Sequence, residues 1–327
     1  MRRRDFIKVI AGSAVAWPLA ARAQQTTRTP LVGVLMQSGS DDPKYQQRLA
    51  AFVSRMHELG WDDDRNVKID IRWGGMDPDK LTTEAQDLVG LQPQVILATN
   101  TVTAQILKKQ TAAVPIVFAG TSDPLASGLV SSLAHPSGNV TGFSNFEFSI
   151  GAKWLELLKQ AAPNVNRVAV LMQPSNDGNR GLMDAVETAA HRTSVGLSTI
   201  DENDAAAVQR ELPTFASEPD GGLIVLPSPS VTRDLIIALA SQYKMPGVYP
   251  TREMARAGGL LSYGIDDADL YRGAATYADR ILKGEKLINL PVQAPTQFYL
   301  VINLKTAKAF DLSISSSLLA SADEVIE

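Results

Sequence analysis

A repeated alternation of short apolar runs and amphipathic stretches constrains the fold of this chain more than any other feature. From residue 30 onwards, runs rich in Val and Ile, such as 31–36 and 95–98, are each followed by a polar loop and a stretch with helical spacing of apolar residues. This order predicts parallel strands joined by crossover helices. It occurs before and after residues 140–144, which predicts an α/β protein with two doubly wound, Rossmann-like lobes and a ligand cleft between them.

The predicted elements fall into two sets. In the first set, strands are expected at 31–36, 67–73, 95–98 and 115–119, and helices at 46–59, 81–91 and about 102–111. In the second set, strands are expected at 168–172, 223–226 and 247–249, and helices at 152–161, 180–193 and 233–243.

Residues 1–23 have the pattern of an export signal. The twin-arginine sequence Arg3-Arg4-Asp5-Phe6-Ile7-Lys8 is followed by an apolar stretch that ends at Ala20, and Ala21-Arg22-Ala23 suits signal peptidase. An uncleaved membrane anchor is the alternative, but the apolar stretch is shorter than the ~20 residues that a spanning helix needs. We therefore expect cleavage after Ala23 and a mature protein in the periplasm that is not inserted in the membrane.

Charge and cysteine content exclude several classes of protein. The chain has no cysteine, which excludes disulfide scaffolds, cysteine metal sites and thiol catalysis. Its net charge is −4, and the first 23 residues hold five basic residues against one acidic residue, so the rest of the chain is more acidic still. An acidic protein lacks the clustered Lys and Arg that displace counterions from phosphates, so no nucleic-acid partner is expected.

The motifs of common enzymes are missing from the sequence. There is no Gly-x-Gly-x-x-Gly after the first strand, no phosphate-loop Gly-Lys-Ser/Thr and no Gly-x-Ser-x-Gly elbow. The three histidines, His57, His135 and His191, are isolated in sequence, which disfavours a histidine metal site. We therefore expect no cofactor, no metal and no catalytic activity, with an exported enzyme as the less favoured alternative.

Polar and aromatic residues after the predicted strands are the candidates for ligand binding, because ligands of such sheets bind beyond the carboxyl ends of the strands. Hydroxyl and amide residues at a helix start can leave amides facing an anionic carboxylate, although the same residues also serve as plain helix caps. Asp123 suits a ligand ammonium or a turn, and a tyrosine suits a flat ligand or interdomain packing. The candidates are Ser38, Thr99, Asn100, Thr101, Ser122, Asp123, Asn176, Ser228, Tyr249 and Tyr263.

A series of short motifs along the whole chain resembles one family, the substrate-binding proteins of ABC transporters that include the tryptophan/tyrosine-type binding proteins of bacteria. The motifs, in order, are Arg-Arg-Arg-Asp-Phe-Ile in the leader, Glu58-Leu59-Gly60-Trp61, Val114-Pro115-Ile116-Val117-Phe118, Asp123-Pro124, Gly138-Asn139-Val140-Thr141-Gly142-Phe143, Gly258-Gly259-Leu260-Leu261-Ser262-Tyr263-Gly264, Tyr271-Arg272, Ile281-Leu282-Lys283-Gly284, Leu290-Pro291-Val292-Gln293, Ile302-Asn303-Leu304-Lys305-Thr306-Ala307-Lys308 and Ala322-Asp323-Glu324-Val325-Ile326.

The resemblance implies a type I periplasmic-binding-protein fold whose two lobes are linked by three crossings. Near 144–146, 264–266 and 293–297 the chain is expected to cross, which assigns 30–143 plus about 265–293 to lobe 1 and 146–262 plus about 297–327 to lobe 2. The resemblance further implies a periplasmic solute-binding component that delivers a small organic ligand to an ABC permease and its ATPase. The better-known members favour an aromatic amino acid or a similar carboxylate, and a ligand sensor for a membrane receptor is the alternative.

Overall fold

The computed structural model describes residues 29–145, 147–174, 176–227 and 232–327. The export signal predicted at 1–23 lies outside these residues. Within them, no helix combines the length and the apolar character needed to cross a bilayer.

The first lobe is built on a five-stranded parallel sheet with the order β2-β1-β3-β4-β5. Its strands are β1 (Leu31–Met36), β2 (Lys68–Trp73), β3 (Val95–Ala98), β4 (Ile116–Thr121) and β5 (Val140–Ser144). Its helices are α1 (Pro43–Glu58), α2 (Pro78–Gly90) and α3 (Thr101–Gln110). β1 and β3 lie inside the sheet and are almost wholly buried, which is why their sequences are continuous apolar runs.

The second lobe is built on a seven-stranded sheet with the order β12-β11-β10-β9-β8-β6-β7. Its strands are β6 (Arg167–Met172), β7 (Gly196–Asp201), β8 (Gly221–Val225), β9 (Gly247–Tyr249), β10 (Leu261–Gly264), β11 (Tyr299–Asn303) and β12 (Glu324–Ile326). Its helices are α4 (Ile150–Ala161), α5 (Asp177–Thr193), α6 (Ala205–Ala216), α7 (Arg233–Gln242), α8 (Arg252–Arg256), α10 (Leu304–Ala309) and α11 (Ser316–Ala320), while α9 (Asp267–Leu282) and a 3-10 turn at Leu287–Asn289 lie between β10 and β11.

The architecture confirms the predicted fold class of two parallel α/β lobes. Pairing in the second sheet departs from it at one place, since β10 and β11 run antiparallel. The pattern analysis also missed β5, β7 and α6, and it predicted no element after residue 249, so β10 to β12 and α8 to α11 were missed as well. β7 is an edge strand that is mostly exposed, so its sequence shows no apolar run that would reveal it.

Helix α9 returns from the second sheet to the first. It follows β10 directly and packs against α1, β3, β4 and β5. After α9, residues 290–293 run along the edge of β5, where the Thr141 hydroxyl donates to the Leu290 carbonyl (2.6 Å) and the Ser144 amide donates to the Gln293 carbonyl (2.8 Å). The chain then enters the second sheet again at β11. Three segments therefore connect the two sheets, after β5, between β10 and α9, and before β11.

Short polar residues begin the helices at one edge of each sheet. Asp42, Asp77 and Asn100 cap α1, α2 and α3 at the carboxyl ends of the first-lobe strands. Asn176 and Asp204 cap α5 and α6 in the second lobe. These loops gather polar side chains where a parallel α/β sheet offers a ligand site.

Candidate ligand-binding site

The ends of β1 and β3 are tied together by polar side chains. The Thr99 hydroxyl, which is buried, donates to the Leu35 carbonyl (3.0 Å), and the Asn100 side-chain amide donates to Gln37 Oε1. The neighbouring Ser38 is also buried and its hydroxyl donates to the Gly39 carbonyl (3.1 Å). The structure thus brings the predicted residues Ser38, Thr99 and Asn100 to one place.

Helix α3 begins with a capping box at this edge. The Thr103 amide donates to Asn100 Oδ1 (3.0 Å), and the Asn100 amide donates to Thr103 Oγ1 (3.1 Å). The helix-cap role that the sequence allowed for Asn100 is therefore present. The amides of Thr101 and Val102 precede any intrahelical acceptor, so they are the donors that an anion at this helix start would take.

Ser122 and Asp123 follow β4 beside α3. Asp123 Oδ1 accepts hydrogen bonds from the amides of Leu125 (3.0 Å) and Ala126 (2.9 Å), so this oxygen stabilises a turn. Ser122 and Asp123 are both partly exposed. The Gln105 side chain of α3 donates to the Ser127 carbonyl (3.0 Å), which fixes this loop against the helix.

Two buried oxygens at the ends of β4 and β5 have no hydrogen-bond partner among the described residues. They are Thr121 Oγ1 and Asn145 Oδ1, and the two residues are adjacent because the Asn145 amide donates to the Thr121 carbonyl (3.1 Å). Buried polar atoms in folded proteins nearly always have a partner, so an unpaired pair at a strand end calls for an explanation. The sequence analysis placed Asn145 in a crossing and did not single out either residue as a ligand contact.

Helix α9 also reaches the end of β3. The Tyr271 hydroxyl donates to the Thr99 carbonyl (3.3 Å), and burial raises the pKa of this phenol, which keeps it a neutral donor. Arg48 of α1 forms an ion pair with Asp267, and its guanidinium lies 4.8 Å from the ring centre of Tyr45. The start of α9 is thereby fixed to the first lobe.

Fewer of the predicted ligand-binding residues lie at the strand ends of the second lobe. Asn176 is partly exposed, and its Oδ1 accepts the Gly178 amide (3.0 Å) at the start of α5. Ser228 lies outside the described residues. Tyr249 is 1% exposed and packs in the core beside Met254, with its ring against Gly259, so it is a packing residue rather than a wall of the cleft.

Tyr263 is half-buried near the end of β10. Its ring stacks on Phe298 with 5.6 Å between ring centres, and its carbonyl accepts a hydrogen bond from Trp154 Nε1 (2.7 Å). Burial raises the pKa of its phenol. The ring therefore lies against the segment by which the chain re-enters the second sheet.

Arg252 is a residue at this edge that the sequence analysis missed. It follows β9 by three residues, and its guanidinium donates to Asp266 Oδ2 (3.3 Å) and lies 4.8 Å from the ring centre of Tyr299. The Tyr299 hydroxyl donates in turn to Asp269 Oδ2 (3.2 Å). The sequence contained a signal for this residue, because Tyr249-Pro250-Thr251 marks the end of a predicted strand and the positively charged Arg252 comes directly after it.

Two open surface grooves lie elsewhere. One of about 300 Å³ lies between α4 and α5, and one of about 470 Å³ lies beside β7 and α6. Neither is lined by a predicted site residue or by an end of the first sheet.

Comparison with known proteins identifies the family. The model of the ABC transporter substrate binding protein family matches residues 40–326, which is most of the chain. The chain belongs to this family.

The similar proteins agree with this assignment. The tyrosine-binding protein of Clostridioides difficile (strain R20291) is 28% identical over 278 residues, which cover 83% of this chain and 79% of the relative. A Streptococcus pneumoniae ABC domain solved in complex with L-Trp superimposes with a TM-score of 0.78 at 26% identity, covering 91% of this chain and 100% of the other. A conserved domain protein of Vibrio cholerae has a TM-score of 0.79 at 27% identity, with the same coverage. The substrate-binding protein described here therefore shares the two-lobed fold of ABC binding proteins.

Proposed function

We propose that this substrate-binding protein is the periplasmic component of an ABC import system. It closes two lobes on an amino acid with an aromatic side chain and delivers it to a membrane permease and its ATPase. Residues 1–23 direct its export and are removed after Ala23. Lobe 1 comprises 30–143 plus about 265–293, a division that the packing of α9 on α1 and β4 supports.

The observation that carries the proposal is a set of unpaired polar groups of both kinds at one sheet edge. The amides of Thr101 and Val102 are donors that suit a carboxylate. The unpaired oxygens of Thr121 and Asn145 suit an ammonium, which donates three hydrogen bonds and accepts none. A free α-amino acid carries both groups on neighbouring atoms. The edge is therefore complementary to the zwitterionic end of such a ligand.

Apolar surface next to these groups suits an aromatic side chain. Val102 is 41% exposed and Leu125 is 46% exposed, and both neighbour predicted site residues. Val102 lies on the same face of α3 as Gln105, which is one turn further along the helix. The side chain of Gln105 binds the loop that contains Leu125. The named ligands of the similar proteins, tyrosine and L-Trp, have such a side chain.

A thermal-shift screen of the purified protein tests the proposal. The ligands are L-Tyr, L-Trp and L-Phe, compared with L-Leu, aromatic acids without an amino group, nucleosides and sugars. A ligand that binds only the folded state adds about 2.7 kcal/mol of stability at 100 times its dissociation constant. We expect stabilisation by the aromatic amino acids, with the ligand recovered unchanged.

Two other results of this screen would contradict the proposal. Stabilisation by sugars or nucleosides alone would contradict the ligand class, and conversion of the ligand would contradict a pure binding role. The variant Tyr263→Ala shows whether this tyrosine belongs to the site. Unchanged affinity for the identified amino acid in that variant would assign Tyr263 to packing against Phe298.

A further inference from the structure

Arg252 has an unusual position for an arginine of this chain. It stands at the carboxyl end of β9 and 27% of its side chain is exposed, so it lies at the edge where the second lobe meets a ligand. Its hydrogen bond with Asp266 is a single contact at 3.3 Å, and the other guanidinium N–H groups have no further acceptor among the described residues. Most of its donor capacity is therefore available.

Two other arginines, on α8 and α9, are used differently. Arg256, one turn further along α8, forms two hydrogen bonds with Glu324 of 2.9 and 2.6 Å. Arg280 near the end of α9 forms two hydrogen bonds with Glu285 of 2.5 and 2.6 Å. A planar guanidinium that pairs with both oxygens of one carboxylate has its strong geometry occupied. Arg252 keeps this geometry open.

The surroundings of Arg252 hold it in place for a ligand. Its guanidinium rests on the ring of Tyr299, and the hydroxyl of that tyrosine is held by Asp269. A guanidinium on a fixed aromatic face loses less freedom when it forms a new hydrogen bond. The ring of Tyr299 thus holds the guanidinium of Arg252 in place, so that binding an anion does not cost much further entropy.

Helix α9 connects this group to the first-lobe site. Asp266 contacts Arg252 in the second lobe, whereas the next residue, Asp267, pairs with Arg48 in the first lobe. One turn later, Tyr271 donates to the Thr99 carbonyl beside the start of α3. The first turns of α9 therefore separate Arg252 from the unpaired amides of α3.

We infer that Arg252 is the second-lobe contact for the carboxylate of the ligand. On closure, its guanidinium exchanges the long contact with Asp266 for the ligand carboxylate, which the first lobe holds at the start of α3. The released carboxylate of Asp266, which is partly exposed, stays hydrated. This inference rests on the proposed amino-acid ligand and adds the residue that reads its anionic group.

Calorimetric titration with L-tryptophan and with L-tryptophanamide tests the inference, since the amide keeps the ring and the ammonium but lacks the negative charge. In Arg252→Gln, we expect L-tryptophan to bind about 10- to 100-fold more weakly than in the wild type, the loss typical of a hydrogen bond to a charged group. Affinity for L-tryptophanamide should change less than threefold. The matched control Arg256→Gln, on the same short helix, should leave both affinities within threefold of the wild type.

Each other result would overturn the inference. An equal loss for both ligands in Arg252→Gln assigns the residue to the closure equilibrium, and unchanged binding of L-tryptophan removes it from the site. If Arg252→Gln does not fold, Arg252→Lys gives the same comparison, because lysine keeps the charge and loses the planar fork. Failure of the proposed ligand class shows separately, as the absence of L-tryptophan binding by the wild type, and overturns this inference with it.

Discussion

Gly142 occupies a position in β5 where no side chain fits. Its φ is +150°, and a Cβ built there would lie 2.1 Å from the Phe118 carbonyl oxygen and 2.6 Å from the Phe118 nitrogen. Because both atoms belong to the backbone of β4, the strands would have to separate. We expect Gly142→Ala to lower the free energy of unfolding by about 3 kcal/mol or more, through overpacking and backbone strain.

Urea unfolding measures this loss, and Gly90 provides the control. Gly90 ends α2 with no atom within 4 Å of its built Cβ. Gly90→Ala should raise the free energy of unfolding by about 0.5 kcal/mol, because alanine has less freedom to lose on folding. A change in Gly142→Ala as small as that in Gly90→Ala would show that β4 and β5 tolerate a wider spacing.

The individual site residues could be predicted only in part. Ser38, Thr99 and Asn100 stand directly after strands with strong apolar runs, so their location could be inferred from pattern alone. Tyr249 ends such a run too, yet its ring lies in the core, because alternate residues of a strand point to opposite faces and the pattern does not fix which face is buried. The unpaired oxygens of Thr121 and Asn145 depend on the pairing of β4 with β5, which no local pattern contains.

At the scale of elements, the start of α3 allows a specific test of carboxylate binding. Thr101 is the first helical residue, where proline is tolerated because its missing amide has no intrahelical acceptor. We expect Thr101→Pro to fold normally and to weaken binding of L-tryptophan about tenfold, since one amide donor is removed. Thr101→Ala keeps the amide, so calorimetry should show a smaller loss. An equal loss in both variants would assign the effect to the threonine side chain.

The ion pair between Arg256 of α8 and Glu324 of β12 makes the stability of the protein slightly dependent on pH. The hydrogen bond from Arg256 lowers the pKa of Glu324 below its ordinary value. A carboxylate with a lowered folded-state pKa contributes stability above its unfolded pKa and loses it as the pH falls through the folded pKa. The pair is partly exposed, so its contribution is about 0.5 kcal/mol.

Comparison of the wild type with Glu324→Gln across the pH range measures this contribution. The difference in free energy of unfolding should be greatest at neutral pH and should decrease as the pH falls below about 4. A difference that stays constant with pH would show that Glu324 acts through packing and not through its charge.

The elements themselves were predictable where burial imposes a period. Central strands such as β1, β3 and β8 and several helices with one buried face follow from the sequence, although the central strand β10 was not predicted. The predicted ends are shifted by a few residues, because caps such as Asp42 and Asp77 start helices earlier than the apolar spacing shows. β7 was missed because an exposed edge strand has no apolar run. The return of α9 to the first lobe is a long-range contact, so only the family resemblance indicated it.

At the scale of the whole molecule, the proposed closure would move the two lobes as units about the three short connections between the sheets. The chain has no cysteine, so two introduced cysteines are the only labelling sites for a fluorescent donor and acceptor. Met76→Cys in the loop after β2 and Asn203→Cys in the loop after β7 place the labels at exposed positions on the two lobes. Both loops follow strand ends that face the ligand edge, so lobe closure should bring the labels together.

We expect saturating L-tryptophan to increase energy transfer between these labels, because a ligand shifts the population toward the conformation that it binds more tightly. The matched pair Met76→Cys and Lys109→Cys lies within the first lobe, so its energy transfer should stay constant. Equal changes in both pairs would indicate an effect of the ligand on the dyes or on the first lobe itself. Constant transfer in both pairs, with binding confirmed by calorimetry, would contradict closure and leave a binding protein whose lobes are already in the liganded arrangement.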